Sequence, residues 1–150
     1  FNQANATVQL AMEMSPQNAR SITNDLADAY RDQGTIHLKQ DRFDLAAAVF
    51  LQAVDGYSMI QGKSNLDLGN LASAYLGLAI AYYRLGLQSL NQRARDKAAS
   101  LLDSALDALE TGWLILPEEG KGFLETEKNW KNVRSRIGSA RRRATGRWFW

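Results

Sequence analysis

Residues 26 to 55 read LADAYRDQGTIHLKQDRFDLAAAVFLQAVD, and residues 78 to 107 read LAIAYYRLGLQSLNQRARDKAASLLDSALD. The two segments align without a gap at an offset of 52 residues, and twelve of the thirty aligned pairs are identical, including Gly34 with Gly86 and Ala46 with Ala98. Adding the offset once more reaches Gly138, where only the glycine and the apolar character around it persist. A fixed period is typical of repeat architectures, so we predict two similar units and a degenerate third.

Within each unit the apolar residues recur at steps of three and four, as at Phe43, Ala46, Ala47 and Phe50, which predicts amphipathic helices. Ser15-Pro16 is a helix-start signal, and the turn of the first hairpin is predicted near Asp41. Helices are predicted over residues 16–40, 42–60, 65–91 (capped by Asn65), 94–111 and 123–140, with a polar loop over 118–122 and a short packing helix within the first fourteen residues. We therefore expect an all-α fold of stacked antiparallel hairpins with capping helices. One domain would cover 1–140, with units at about 16–60, 65–112 and a partial 122–140, and a tail would follow at 141–150.

The composition removes several kinds of chemistry. The 150-residue chain has no cysteine, so thiolate nucleophiles, disulfides and cysteine-ligated zinc are excluded. Its single histidine, His37, lies on a predicted helix and is interpreted as a packing residue, because no partner nucleophile or metal ligand accompanies it. No apolar run reaches the ~20 residues of a membrane-spanning helix, which predicts a soluble chain. The sequence thus predicts a protein that is not an enzyme and uses neither a cofactor nor a metal.

The repeated residues resemble the tetratricopeptide repeat (TPR) family, here with an extended period of 52 residues instead of 34. A count from Ala27 places Tyr30, Gly34, Ala46 and Phe50 at the family's characteristic positions. Small residues at such positions let two antiparallel helices cross closely, while the aromatic residues fill the space beside the crossing. The resemblance implies a short right-handed superhelix and a protein-interaction function, that of a scaffold or assembly adaptor.

The resemblance also implies a concave groove lined by the first helix of each unit, which would bind a peptide or a partner helix. Its basic members would suit an acidic or carboxylate-bearing segment. An alternative is that the leucines pack internally, against the N-terminal helix or the 61–78 segment. The groove positions fall on Arg31, Thr35, Leu38, Lys39, Tyr83, Leu87, Leu90, Asn91 and Arg136.

The C-terminal end concentrates positive charge, since residues 121 to 150 hold nine Lys and Arg against two Asp and Glu. Arginines attract phosphates and tryptophans insert at bilayer interfaces or partner pockets, so the tail suggests a membrane-surface, nucleic-acid or docking contact. The alternative is a structural cap on the last helix. Self-association into a homo-oligomer is a further interpretation of the same surfaces. The tail residues concerned are Arg141, Arg142, Arg143, Arg147, Trp148 and Trp150.

Overall fold

The computed structural model describes residues 16–121 and 124–146, and the predicted N-terminal packing helix lies outside these ranges. Helices account for 88% of the described residues, which contain no strand, so the all-α prediction is confirmed. The helices of the described chain are α1 (Pro16–Lys39), α2 (Phe43–Ser58), α3 (Asn65–Asn91), α4 (Arg95–Ile115), α5 (Glu118–Lys121) and α6 (Leu124–Thr145).

The turns that join α1 to α2 and α3 to α4 have the same backbone geometry. Asp41 and Arg93, which are 52 residues apart, both adopt the left-handed conformation, with φ of 57° and 61°. In each turn the N–H of the next residue donates to the carbonyl five residues earlier, at 2.9 Å in the first turn and 2.8 Å in the second. This is the Schellman pattern that satisfies the last carbonyls of a helix and reverses the chain.

Glycines set the closeness of the helices within each hairpin. A Cβ added to Gly34 would lie 2.7 Å from the Phe50 ring, and one added to Gly86 would lie 2.8 Å from the Leu102 side chain. Phe50 also presses against Gly77 of α3, so its ring lies between two glycines on different helices. Because interiors are close-packed, a methyl group at any of these positions would have to displace its neighbour.

The larger helices pack in chain order, α1 on α2, α2 on α3, α3 on α4 and α4 on α6. α3 is the longest and lies at the centre, since it also contacts α1 and α6. The main core cluster extends from Phe50 in α2 through Leu78 in α3 and Leu109 in α4 to Ile137 in α6. α6 is therefore part of the packed body and covers the last hairpin.

Three predicted boundaries near the C-terminus are wrong. α4 continues past Thr111 to Ile115, because the apolar residues that follow Thr111 pack against α6 and Pro117 is the first residue unable to donate to the helix. The predicted polar loop contains the short helix α5, whose N–H groups bond to the Pro117 carbonyl. α6 extends through Arg141 to Thr145, because a helix breaker comes only at Gly146, with φ of 70°.

The start of α3 differs slightly from the prediction, since Ser64 is the N-cap and Asn65 is the first helical residue. Among the described helices none is both long enough and apolar enough to cross a membrane.

Candidate functional site

Arg31, the first predicted groove residue, is held by contacts inside the fold. Its guanidinium donates to Asn70 Oδ1 at 2.9 Å, lies 3.7 Å from Asp28 and sits 6.0 Å from the centre of the Tyr57 ring. The Tyr57 hydroxyl donates to the same Asp28 carboxylate. Burial, reinforced by this hydrogen bond, raises the pKa of Tyr57 well above its usual range, so the phenol stays neutral. A partner carboxylate would have to compete with Asp28 for Arg31.

The other predicted groove residues of α1 divide between core and solvent. Leu38 is half-buried and packs against the main core cluster, which is the internal role considered as an alternative. The exposed Thr35 donates its hydroxyl to the Arg31 carbonyl at 3.2 Å, a bond within the same helix. Lys39 is exposed at the end of α1, and His37 is half-buried. On α1, these side chains do not form a shared apolar surface.

On α3 the predicted groove residues Tyr83, Leu87 and Leu90 are half-buried. They pack against a buried cluster of Ala98 and Leu102 from α4 and Ala140 and Ala144 from α6. The cluster contains no residue of the 61–78 segment, so that suggested packing partner is wrong for these leucines. Asn91 and Arg136 are exposed. Much of the predicted apolar groove is therefore interior to the α3, α4 and α6 packing.

A polar junction that the sequence analysis missed joins α1 to the start of α3. Asp67 is buried and accepts from the Ser64 N–H at 2.9 Å and from the Arg20 guanidinium at 2.7 Å, while the Ser64 hydroxyl accepts from the Asp67 N–H at 3.2 Å. The Ser64 N–H, with further help from the Ser64 hydroxyl and Arg20, holds the pKa of Asp67 below its usual range. The cavity beside it, about 410 Å³, is lined mostly by polar side chains. Capping and ion pairing account for this cluster, whose role is to fix α3 against α1.

An apolar groove lies between the C-terminal half of α4 and the first half of α6, with a cavity of about 340 Å³. Its floor holds Trp113 and Trp130, whose ring centres are 5.8 Å apart at an angle of 53°. Gly112 makes room for this pair, since a Cβ there would lie 2.6 Å from the Trp130 ring. Leu114 lines the groove and is 78% exposed. The charged side chains that line it are Glu110, Glu127, Lys131 and Arg134.

The groove continues toward the end of α6 into a basic cavity of about 300 Å³, and Arg134 lines both parts. Leu106, Ser135 and Gly138 line the second cavity together with Arg141 and Arg142. We call the two cavities together the α4–α6 groove. Ion pairs join its walls, Arg134 with Glu110 at 3.4 Å and Arg141 with Asp103 at 2.5 Å. Since residue numbers rise along α6 as they fall along α4, the two helices are antiparallel.

The predicted tail is thus partly helical. Arg141 and Arg142 line the groove, Arg142 also donates to Ser139 at 3.2 Å, and Arg143 is exposed. Arg147, Trp148 and Trp150 lie outside the described residues, so the tail contact stays a prediction.

The sequence carried one signal for the groove. In the sequence, Trp130 lies at helical spacing from Val133 and Ile137, and residues 113 to 116 form an apolar run, but the predicted end of the fourth helix at Thr111 leaves that run outside the helix. Extending the helical spacing of Leu102, Leu106 and Leu109 by one turn would have brought Trp113 onto the same face.

Among the described residues, no three His, Asp or Glu side chains are grouped closely enough to hold a metal ion. Comparison with known proteins found no match, whether to family models, to curated proteins or to solved structures.

Proposed function

We propose that the protein is a TPR-like helical-repeat scaffold that binds another protein and has no catalytic role. The observation that carries this proposal is the agreement between the two hairpins. At an offset of 52 residues they share a left-handed turn residue, the same turn hydrogen bonds and a buried glycine facing a large side chain of the next helix. Repeated hairpins of this kind stack into a body whose extended surface serves to bind macromolecules.

The TPR resemblance implies binding on the face of the first helices, through Arg31, Tyr83 and their neighbours. The internal contacts of Arg31 and the packing of Tyr83 against the α4 and α6 cluster favour a different surface. The α4–α6 groove combines exposed apolar area, two tryptophans and charged walls. Tryptophan and arginine are enriched among the residues that dominate binding energy at protein interfaces. We therefore place the main binding surface at the α4–α6 groove.

Site-specific photo-crosslinking tests this proposal. A benzoylphenylalanine replaces Leu114, at the groove, or Leu66, which is 74% exposed on α3 and serves as a matched control. We expect irradiation in cells of the native source to join the Leu114 variant, and not the Leu66 variant, to a discrete protein. Equal labelling from both positions, or none from either, would count against a binding function at this surface.

Self-association is the competing use of the same groove. In that case the crosslinked product would have twice the mass of the chain, and light scattering of the purified protein would show a dimer or larger assembly.

A further inference from the structure

Gly138 repeats the position of Gly34 and Gly86 in the degenerate third unit, but its surroundings differ. In the first two units a large side chain of the following helix fills the notch at the glycine. At Gly138 the nearest atom to an added Cβ would be Nη1 of Arg142, 3.6 Å away, and the glycine lines the 300 Å³ cavity. Within the described residues, α6 therefore presents a helix-crossing notch that no apolar side chain of a following helix fills.

The side chains that line this notch indicate which kind of protein segment could bind there. Arg134, Arg141 and Arg142 line the cavity, and α6 as a whole carries seven Lys and Arg against two Glu. Leu106, which is half-buried, supplies the apolar floor. Arg134 and Arg141 also pair with Glu110 and Asp103 of α4, so the carboxylates of an occupant would share or replace these ion pairs. The lining therefore favours an occupant that combines an apolar side chain with flanking carboxylates, since carboxylates form the strongest hydrogen bonds with guanidinium groups.

In the second unit, α4 is the helix that packs against the corresponding glycine, Gly86. It places Leu102 against Gly86, and acidic side chains at Asp103, Asp107 and Glu110 follow on the same helix. The corresponding surface of α6 is more basic than that of α3, because at the 52-residue offset Arg134 and Arg141 occupy the positions of Tyr82 and Ser89.

We propose that the α4–α6 groove is the seat of an amphipathic helix with carboxylates beside its apolar stripe, supplied by a partner protein, which completes a third hairpin with α6. This inference rests on the proposed scaffold function and names the class of its partner. The groove spans residues 127 to 142 of α6, roughly 22 Å or four helical turns. Leucine-type anchors spaced by three and four residues would then reach both the Trp113–Trp130 end and the Gly138 notch.

The test uses the full chain and two synthetic peptides of about 18 residues, enough to span the groove as a helix. Both carry leucines at helical spacing, and the flanking positions are Glu in one peptide and Lys in the other. Fluorescence anisotropy should detect binding of the Glu peptide, with affinity that falls as salt rises because the contacts are partly ionic. The Lys peptide should not bind.

Two matched pairs of variants locate the peptide. Gly138→Leu fills the notch and should weaken binding about tenfold or more. Gly69→Leu should not, because no neighbouring atom of the described chain lies within 4 Å of a Cβ added to that helical glycine. Arg142→Gln should weaken binding several-fold, and Arg136→Gln, an equal loss of charge at an exposed position of the same helix, should not. Circular dichroism melts confirm that each variant folds.

Failure of the Glu peptide to bind, or unchanged binding to Gly138→Leu, would overturn the inference. In that event crosslinking from Leu114 to a discrete protein would still support the scaffold function. A dimer of the chain alone that Gly138→Leu dissociates would identify a second copy as the occupant and would also overturn the inference. Binding lost in Arg136→Gln but kept in Arg142→Gln would move the site to the face of the first helices.

Discussion

Gly77→Ala and Gly69→Ala, two substitutions on the same helix, should change stability in opposite directions. The ring of Phe50 lies between Gly34 and Gly77, and a Cβ on Gly77 would overlap it. Among the described residues, a Cβ on Gly69 meets no neighbouring atom within 4 Å. The chemical change is identical, so the difference between the two variants isolates the packing of Phe50.

The magnitude follows from two opposing effects. Alanine is about 1 kcal/mol more favourable than glycine in a helix interior, which sets the gain expected for Gly69→Ala. At Gly77 the same gain is opposed by overpacking, at the upper end of about 1–3 kcal/mol because Gly34 blocks the ring from moving away. We expect Gly77→Ala to lose about 2 kcal/mol of unfolding free energy. The midpoint should fall by roughly 4–8 °C, while Gly69→Ala raises it by roughly 2–4 °C.

Urea unfolding of the full chain, followed by circular dichroism, measures the two unfolding free energies, and thermal melts of the same proteins measure the two midpoint temperatures. Phe50→Leu provides the coupling test, because a smaller side chain leaves room for the methyl group at position 77. The double variant should be more stable than the sum of the single effects predicts, by about 0.5–3 kcal/mol. A Gly77→Ala protein as stable as Gly69→Ala, or effects that simply add, would refute the close crossing of α2 and α3.

Three further outcomes test the fold and the groove. Asp41→Gly and Arg93→Gly should each stabilise the protein by about 1 kcal/mol, since each removes a left-handed non-glycine residue, and clearly unequal urea midpoints would contradict the equivalence of the two turns. Asp67→Asn should lower the unfolding free energy by about 1 kcal/mol at neutral pH, because it removes the ion pair with Arg20 and the negative charge in the first turn of α3. The folded-state pKa of Asp67 is depressed, so its stabilisation is present above the unfolded pKa and disappears as the pH falls through the folded value. The unfolding free energies of the variant and the wild type should therefore converge in acid. A difference between them that stays constant with pH would contradict a stabilising role of the Asp67 carboxylate. Leu114→Ser should change stability by less than about 0.5 kcal/mol while Trp130→Ala, which empties a buried site, should lose about 3–5 kcal/mol in the same unfolding assay. Equal losses of unfolding free energy in these two variants would show that Leu114 stabilises the fold as Trp130 does.

Local periodicity made the hairpins predictable. The spacing of Phe43, Ala46 and Phe50 reflects the helical repeat of 3.6 residues, and the turn near Asp41 is encoded by the chain around it. The aligned glycines predicted where helices cross, because a close crossing requires a position without a side chain. Both signals come from residues near one another in sequence.

The candidate site was not predictable in the same way. From the sequence, Arg31 was predicted to be available to a partner. Only the packing of α3 against α1 brings Asn70 within hydrogen-bond distance of its guanidinium. Leu87 and Leu90 were predicted to line the groove. In the folded protein they pack against an apolar cluster to which α6 contributes. The sequence alone determined an all-α chain with matched hairpins, because local periodicity and turn chemistry act between neighbouring residues. The tertiary structure decided which faces stay open, because exposure depends on contacts between helices far apart in the chain.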